Sequence, residues 1–102
     1  KYLNNKIPRG SRKSVNNSLG NRNSKLTSLA AEDYFGLAKK YSLDPCQMAL
    51  SFCLSRPFMT SVIFGATNEI QLLNNIKSTN LKLEKQHLTE ITKIHRKYPI
   101  PF

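Results

Sequence analysis

One short run decides what this chain can be. Thr60-Ser61-Val62-Ile63-Phe64 is β-branched and apolar and is closed by Gly65. Such a run reads as a buried strand. A lone strand leaves its backbone donors and acceptors unpaired, so it needs neighbours. No second strand is evident in the 102 residues. The chain therefore reads as part of a larger α/β fold, with the other strands on a preceding segment or a partner chain. The first residue is Lys1 rather than Met, and no charged-then-apolar leader follows. That agrees with an incomplete chain.

Helix patterns flank the run. Tyr34, Leu37, Ala38 and Tyr41 fall at i, i+3, i+4 and i+7, which predicts one helical face over 30–41. Ser42 and Leu43 form a break. Asp44-Pro45-Cys46-Gln47 then opens a second helix, with Asp44 as cap, Pro45 in the first position and Gln47 completing a capping box. Residues 45–55 are apolar on most faces, so this helix is expected to be largely buried; Arg56-Pro57 ends it. Asn68-x-x-Gln71 starts a third helix with Ile70, Leu73 and Ile76 inward. Leu81 and Leu83 alternate with Lys82 in an extended link. Residues 84–97 form a last amphipathic helix carrying Leu88, Ile91, His95 and Tyr98 on one face, stopped by Pro99 and Pro101.

Charge is uneven. Sixteen Lys and Arg against six Asp and Glu give +10. Residues 1–28 carry seven of the cations and no acid, and they are Asn- and Ser-rich with isolated apolar residues and no lasting period. A basic segment like this points to phosphate, nucleic acid or an acidic surface. It also reads as a plain solvated loop. The 10 Asn and 11 Lys further suggest AT-rich codon drift as a source of the charge. Nucleic acid is not the expected partner, because Tyr2 is the arm's one aromatic and base stacking needs several. No apolar run approaches the roughly 18–20 residues of a membrane span. Two cysteines, Cys46 and Cys53, are too few for a disulfide scaffold and are expected to be buried hydrophobes.

The junction at 61–76 is the most informative feature for chemistry. Gly65 lets the chain turn off the strand end. The following helix presents unpaired N–H groups and the positive end of its dipole, a setting that binds phosphate and other anions. Thr67 adds a hydroxyl and Asn75 an amide. Many α/β turns share this pattern without a ligand, so both readings stand. His87 and His95 are eight apart rather than the i, i+4 of a helical metal pair, and are expected to be exposed or half-buried. No catalytic constellation and no metal-ligand set can be assigned.

Two stretches carry a resemblance. They are Ala49-Leu50-Ser51-Phe52-Cys53-Leu54-Ser55-Arg56-Pro57-Phe58 and Gly65-Ala66-Thr67-Asn68-Glu69-Ile70-Gln71-Leu72-Leu73-Asn74-Asn75-Ile76. With the opening Lys1-Tyr2, the Ile7-Pro8-x-Gly10-Ser11-Arg12 stretch and the ending Ile94-His95-Arg96-Lys97-Tyr98-Pro99, the sequence resembles the C-terminal part of the aldo-keto reductase superfamily. It is most similar to bacterial members near the potassium-channel β-subunit branch. The resemblance implies an α/β fold, a (β/α)8 TIM barrel that reduces aldehydes or ketones by hydride transfer from NADPH, without flavin or metal. This chain then supplies the strand-7 loop, helix 7, strand 8, helix 8 and the C-terminal helix, not a complete barrel. Residues 1–28 become a basic loop covering the cofactor, and 29–102 the end of the barrel.

By position, the resemblance implies that Lys1 and Arg12 contact the dinucleotide. Gly65 and Thr67 hold the 2′-phosphate end, and Gln71, Asn74 and Asn75 contact the adenosine part. Two departures stand out. The family usually has Glu where this chain has Asn74, and a small capping residue where it has Glu84. The family's catalytic Tyr, Lys, Asp and His come from the first half of the barrel; Tyr2, Tyr34, Tyr41 and Tyr98 do not match the catalytic tyrosine. The expectation is a cytoplasmic NADP(H)-binding end that in isolation binds the cofactor weakly or not at all and has no activity of its own, and whose partner is the N-terminal part of the barrel. The alternative is a truncated, non-catalytic remnant that binds a partner or polyanion through its basic arm.

Overall fold

A computed structural model describes residues 2, 6–20, 22 and 24–101. Five α-helices follow in order: α1 Arg12–Asn16, α2 Lys25–Lys40, α3 Pro45–Leu54, α4 Glu69–Ile76 and α5 Lys85–Lys97. A 3-10 turn, Lys77–Asn80, separates α4 from α5.

Each helix end has a local cause. Helix α2 begins at Lys25, five residues before the apolar pattern starts, because the Ser24 hydroxyl accepts the Thr27 N–H at 3.0 Å and caps the first turn. It ends where Ser42 takes a left-handed φ of 54°. Leu43 N–H then donates to Ala38 O at 2.8 Å and Ser42 N–H to Lys39 O at 3.1 Å, a Schellman closure. That turn lays Leu43 against the core. Asp44 Oδ1 accepts from Cys46 N–H at 2.8 Å and Gln47 N–H at 2.9 Å, with Pro45 in the first position of α3 as expected. At the head of α5 the Glu84 N–H donates to His87 Nδ1 at 3.0 Å.

Helices α2, α3 and α5 meet in one small core. Leu37, Ala38, Met48 and Ile91 are buried there, with Tyr34, Tyr41, Leu43, Phe52, Leu83 and Ile94 packed around them. The helical face drawn through Tyr34, Leu37, Ala38 and Tyr41 is thus the core face of α2. Burial pushes the Tyr34 phenol pKa up. Helix α4 and the 3-10 turn also pack against α3. The buried Ser51 hydroxyl fastens them by donating to Ser78 O at 2.8 Å. The far end returns to the start of α2, where the Ser24 and Thr27 hydroxyls each lie 2.7 Å from Pro101 O.

Several expectations are corrected. The Thr60–Phe64 run is extended but forms no ladder, and Ile63 is 97% exposed. It is not a buried strand here, because the described residues offer it no neighbouring strand. Helix α3 buries only Met48 and Ser51; Leu54 and Cys46 are exposed and Cys53 is half-buried. On α4 the faces are reversed: Ile70, Leu73 and Ile76 are exposed, while Gln71, Asn74 and Asn75 are half-buried. His87 is buried, with its ring edge-on to Tyr41 at 4.5 Å, whereas His95 is exposed on α5. The accessible surface is 7928 Å², against about 5,800 Å² for a compact monomer of this size. Phe58, Ile63, Ile70 and Leu73 are among the large apolar side chains left exposed.

Candidate functional site

The head of α4 brings two candidate residues, Thr67 and Gln71, into one hydrogen-bonded group with the Asn68 cap. Thr67 donates twice to a single oxygen: its N–H lies 3.1 Å and its hydroxyl 2.9 Å from Gln71 Oε1. Asn68 Oδ1 meanwhile accepts the Gln71 N–H at 2.9 Å. The expected capping box is therefore only half made. Asn68 caps the helix, but Gln71 turns its carboxamide to Thr67 rather than back to the cap. Two donors from one residue converging on one oxygen, in front of a helix N-terminus, is the arrangement that suits an anionic oxygen. Glu69 in the first turn places one negative charge beside it.

The neighbouring turn of α4 carries the second pair. Gln47 Nε2 donates to Asn74 Oδ1 at 2.7 Å, joining α3 to α4. This explains why Gln47 does not complete the Asp44 capping box: its amide is used between helices. From the sequence Gln47 reads only as completing the Asp44 capping box. Its place three residues after Asp44 has a sufficient local explanation, and nothing in the one-dimensional pattern separates the two uses.

The other candidates are placed less tightly. Asn75 is half-buried beside Asn74. Gly65 is exposed, and its φ lies outside the left-handed region; a Cβ there meets nothing within 4 Å. The turn off the extended segment thus does not require glycine, which corrects the role read from sequence. Arg12 opens α1, exposed, with no hydrogen bond or ion pair among the described residues. The turn before it is closed by Ser11 N–H donating to Pro8 O at 3.0 Å, and α1 is tied to the arm by Lys13 N–H donating to Tyr2 Oη at 3.1 Å. Ser11 is buried there, and its hydroxyl has no partner among the described residues. Lys1 lies outside the described residues.

What the site can do chemically is limited and definite. Thr67 offers two donors, and Gln71, Asn74 and Asn75 offer carboxamides that can both donate and accept. No group here is arranged to pass a proton. Among the described residues no three His, Cys, Asp or Glu side chains gather as metal ligands. No helix among them is long and apolar enough to cross a membrane.

Known proteins are similar to this chain over most of its length. A family model, the aldo/keto reductase family, matches residues 1–96. The Escherichia coli (strain K12) protein Tas is 38% identical over 101 residues, 99% of this chain and 29% of Tas. An aldo-keto reductase of Babesia bovis is 34% identical over 79 residues, 74% of this chain and 28% of that protein. A probable voltage-gated potassium channel β subunit of Oryza sativa is 32% identical over 84 residues, covering 79% of this chain and 26% of that subunit. The chain belongs to the aldo/keto reductase family, an oxidoreductase family with a TIM-barrel fold that uses a nicotinamide dinucleotide. It spans less than a third of the length of these relatives.

Proposed function

We propose that this chain is the C-terminal end of an NADP(H)-dependent carbonyl reductase and holds the 2′-phosphoadenosine end of the cofactor. In this reading 1–28 cover the cofactor and 29–102 complete the barrel. One observation carries it: the Thr67 N–H and hydroxyl, 3.1 and 2.9 Å from one oxygen, already form an oxygen-binding pair at the head of α4. A 2′-phosphate oxygen takes the place of Gln71 Oε1. The released Gln71 amide, with Asn74 and Asn75, then lines the adenosine. Arg12 and Lys1 bring positive charge from the basic arm to the rest of the dinucleotide. When bound, the cofactor supplies the hydride. The proton donor and its partners come from the rest of the barrel, so this chain alone turns nothing over. The Thr60–Phe64 segment finds its neighbouring strands there too. In this reading the place of action is the cytoplasm.

Fluorescence titration with NADPH and NADH tests the reading. The expected result is a preference for NADPH that Thr67→Ala lowers by about tenfold, the worth of one charge-assisted hydrogen bond. Equal affinity for the two dinucleotides overturns it. Steeply salt-dependent DNA binding in its place supports the rival, a non-catalytic remnant with a polyanion-binding arm.

A further inference from the structure

We propose that Ser24 and Thr27 form a hydroxyl clasp on Pro101 O that aims the basic arm and sets how fast the dinucleotide leaves. The inference rests on the cofactor reading above and adds to it two positioning residues that lie outside the nucleotide contacts.

Three short contacts close a triangle at the head of α2. Ser24 Oγ and Thr27 Oγ1 each lie 2.7 Å from Pro101 O and 2.9 Å from one another. A carbonyl oxygen only accepts and has two lone pairs, so it takes both hydroxyl hydrogens. Ser24 Oγ keeps a lone pair for the Thr27 N–H at 3.0 Å, the cap of α2. Capping alone needs an acceptor at Ser24 and nothing from the Thr27 hydroxyl. Turning both hydroxyls to one oxygen is a use beyond the cap. All three residues are half-buried, so the bonds are partly withdrawn from water.

The clasp falls where the arm meets the helical body. The arm has a shape of its own. Ser11 N–H donates to Pro8 O at 3.0 Å, Gly20 N–H donates to Ser18 Oγ at 3.0 Å, and Asn17 and Gly20 turn the chain at φ of 51° and 65°. Little apolar packing holds that shape to the body: α1 buries none of its residues, and Ile7 and Val15 are exposed. A shaped segment with little packing takes its direction from its joint. Here the joint is bonded to a residue 77 positions further along the chain. Arg12 stands twelve residues upstream of Ser24, so a small change of angle at the joint displaces its guanidinium widely. A dinucleotide held under the arm leaves when the arm swings, and the clasp resists that swing at its root.

The test uses the protein expressed from its own full reading frame. NADPH release is followed by stopped-flow fluorescence. The joint is followed by trypsin cleavage after Lys25, read by mass spectrometry, since cleavage tracks the population of the open form. Ser24→Asp keeps an acceptor for the cap but sets a carboxylate against the Pro101 carbonyl. Thr27→Val keeps the β-branch and loses the second donor. Each should speed release and cleavage by about three- to tenfold, the worth of one hydrogen bond. Thr27→Ser retains the hydroxyl and should leave both rates near those of the native protein.

Unchanged cleavage in both variants means that the hydroxyls do not hold the joint, and overturns the proposal. Faster cleavage or lower urea stability with an unmoved release rate makes them ordinary caps, and overturns it as well. If Ser24→Asp fails to fold, Thr27→Val decides alone, because it leaves the cap in place. A native protein that binds no NADPH overturns the cofactor reading, and the control of release with it.

Discussion

Lys97 Nζ lies 2.8 Å from Asp33 Oδ2, so the last turn of α5 is tied to the middle of α2. The hydrogen bond from Lys97, helped by its charge and by Tyr98, holds the Asp33 carboxyl below its ordinary range. The same bond raises the Lys97 ammonium. The signs follow from linkage. The Asp33 contribution is present above the unfolded carboxylate pKa and is lost as pH falls through the lower folded value. The Lys97 contribution is present below the unfolded lysine pKa and is lost as pH rises through the higher folded value. The pair is exposed, so the effect is small. Thermal melts followed by circular dichroism from pH 2 to 5 should show a shallower acid limb in Asp33→Asn than in the native chain.

His87 carries more. It accepts the Glu84 N–H at 3.0 Å and sets its ring edge-on against Tyr41 at 4.5 Å, while buried. His87→Phe keeps the ring and loses the acceptor; the expected cost is about 1 kcal/mol, that of a lost cap. His87→Ala loses the ring contact as well, for about 2–3 kcal/mol in all. Urea denaturation of the two variants separates the terms. Equal loss in both would mean that the Nδ1 contact does not stabilise the helix.

The contrast between these helices and the Thr60–Phe64 segment marks what a sequence of this kind makes legible. Asp44-Pro45 starts α3 and the Tyr34–Tyr41 stripe faces the core because caps and helical faces are decided within a few residues. The start of α2 was missed because its cap, Ser24, sits in a segment with no apolar period to flag it. The strand and the inward face of α4 are not formed here for another reason: both depend on what packs from outside, and Ile63 is 97% and Ile70 81% exposed. At the site, the Asn68 cap was legible. The Gln47–Asn74 bond was not, since its partners are 27 residues apart and each has a local use that accounts for it.

The closing turn of α2 offers a gain. Ser42 holds a left-handed φ of 54° in the Schellman closure, a place glycine fills without cost. An L-residue there carries roughly 1–2 kcal/mol of strain, of which glycine's greater unfolded freedom takes back about 0.5–1 kcal/mol. Ser42→Gly should therefore stabilise the chain by about 0.5 kcal/mol in a urea titration. A loss in its place would mean that the Ser42 backbone is not held in this conformation.

Ile63 tests the part of the fold that this chain does not close on itself. It is 97% exposed on an unpaired extended segment, so Ile63→Lys should leave the helical circular dichroism of the 102-residue chain unchanged. Binding of an apolar dye should fall, because a charge now replaces one of the exposed apolar side chains. In the proposed architecture, joined to the rest of a (β/α)8 barrel, the same residue enters a parallel sheet covered on both faces, where strands read as continuous apolar runs. A lysine there is an unpaired buried charge, and the expected cost is about 3–5 kcal/mol. Denaturation of the variant in both contexts gives the comparison. A near-zero effect in the short chain with a large one in the complete barrel places Thr60–Phe64 in the sheet. A near-zero effect in both would leave the segment a surface loop and remove the strand from the proposed architecture.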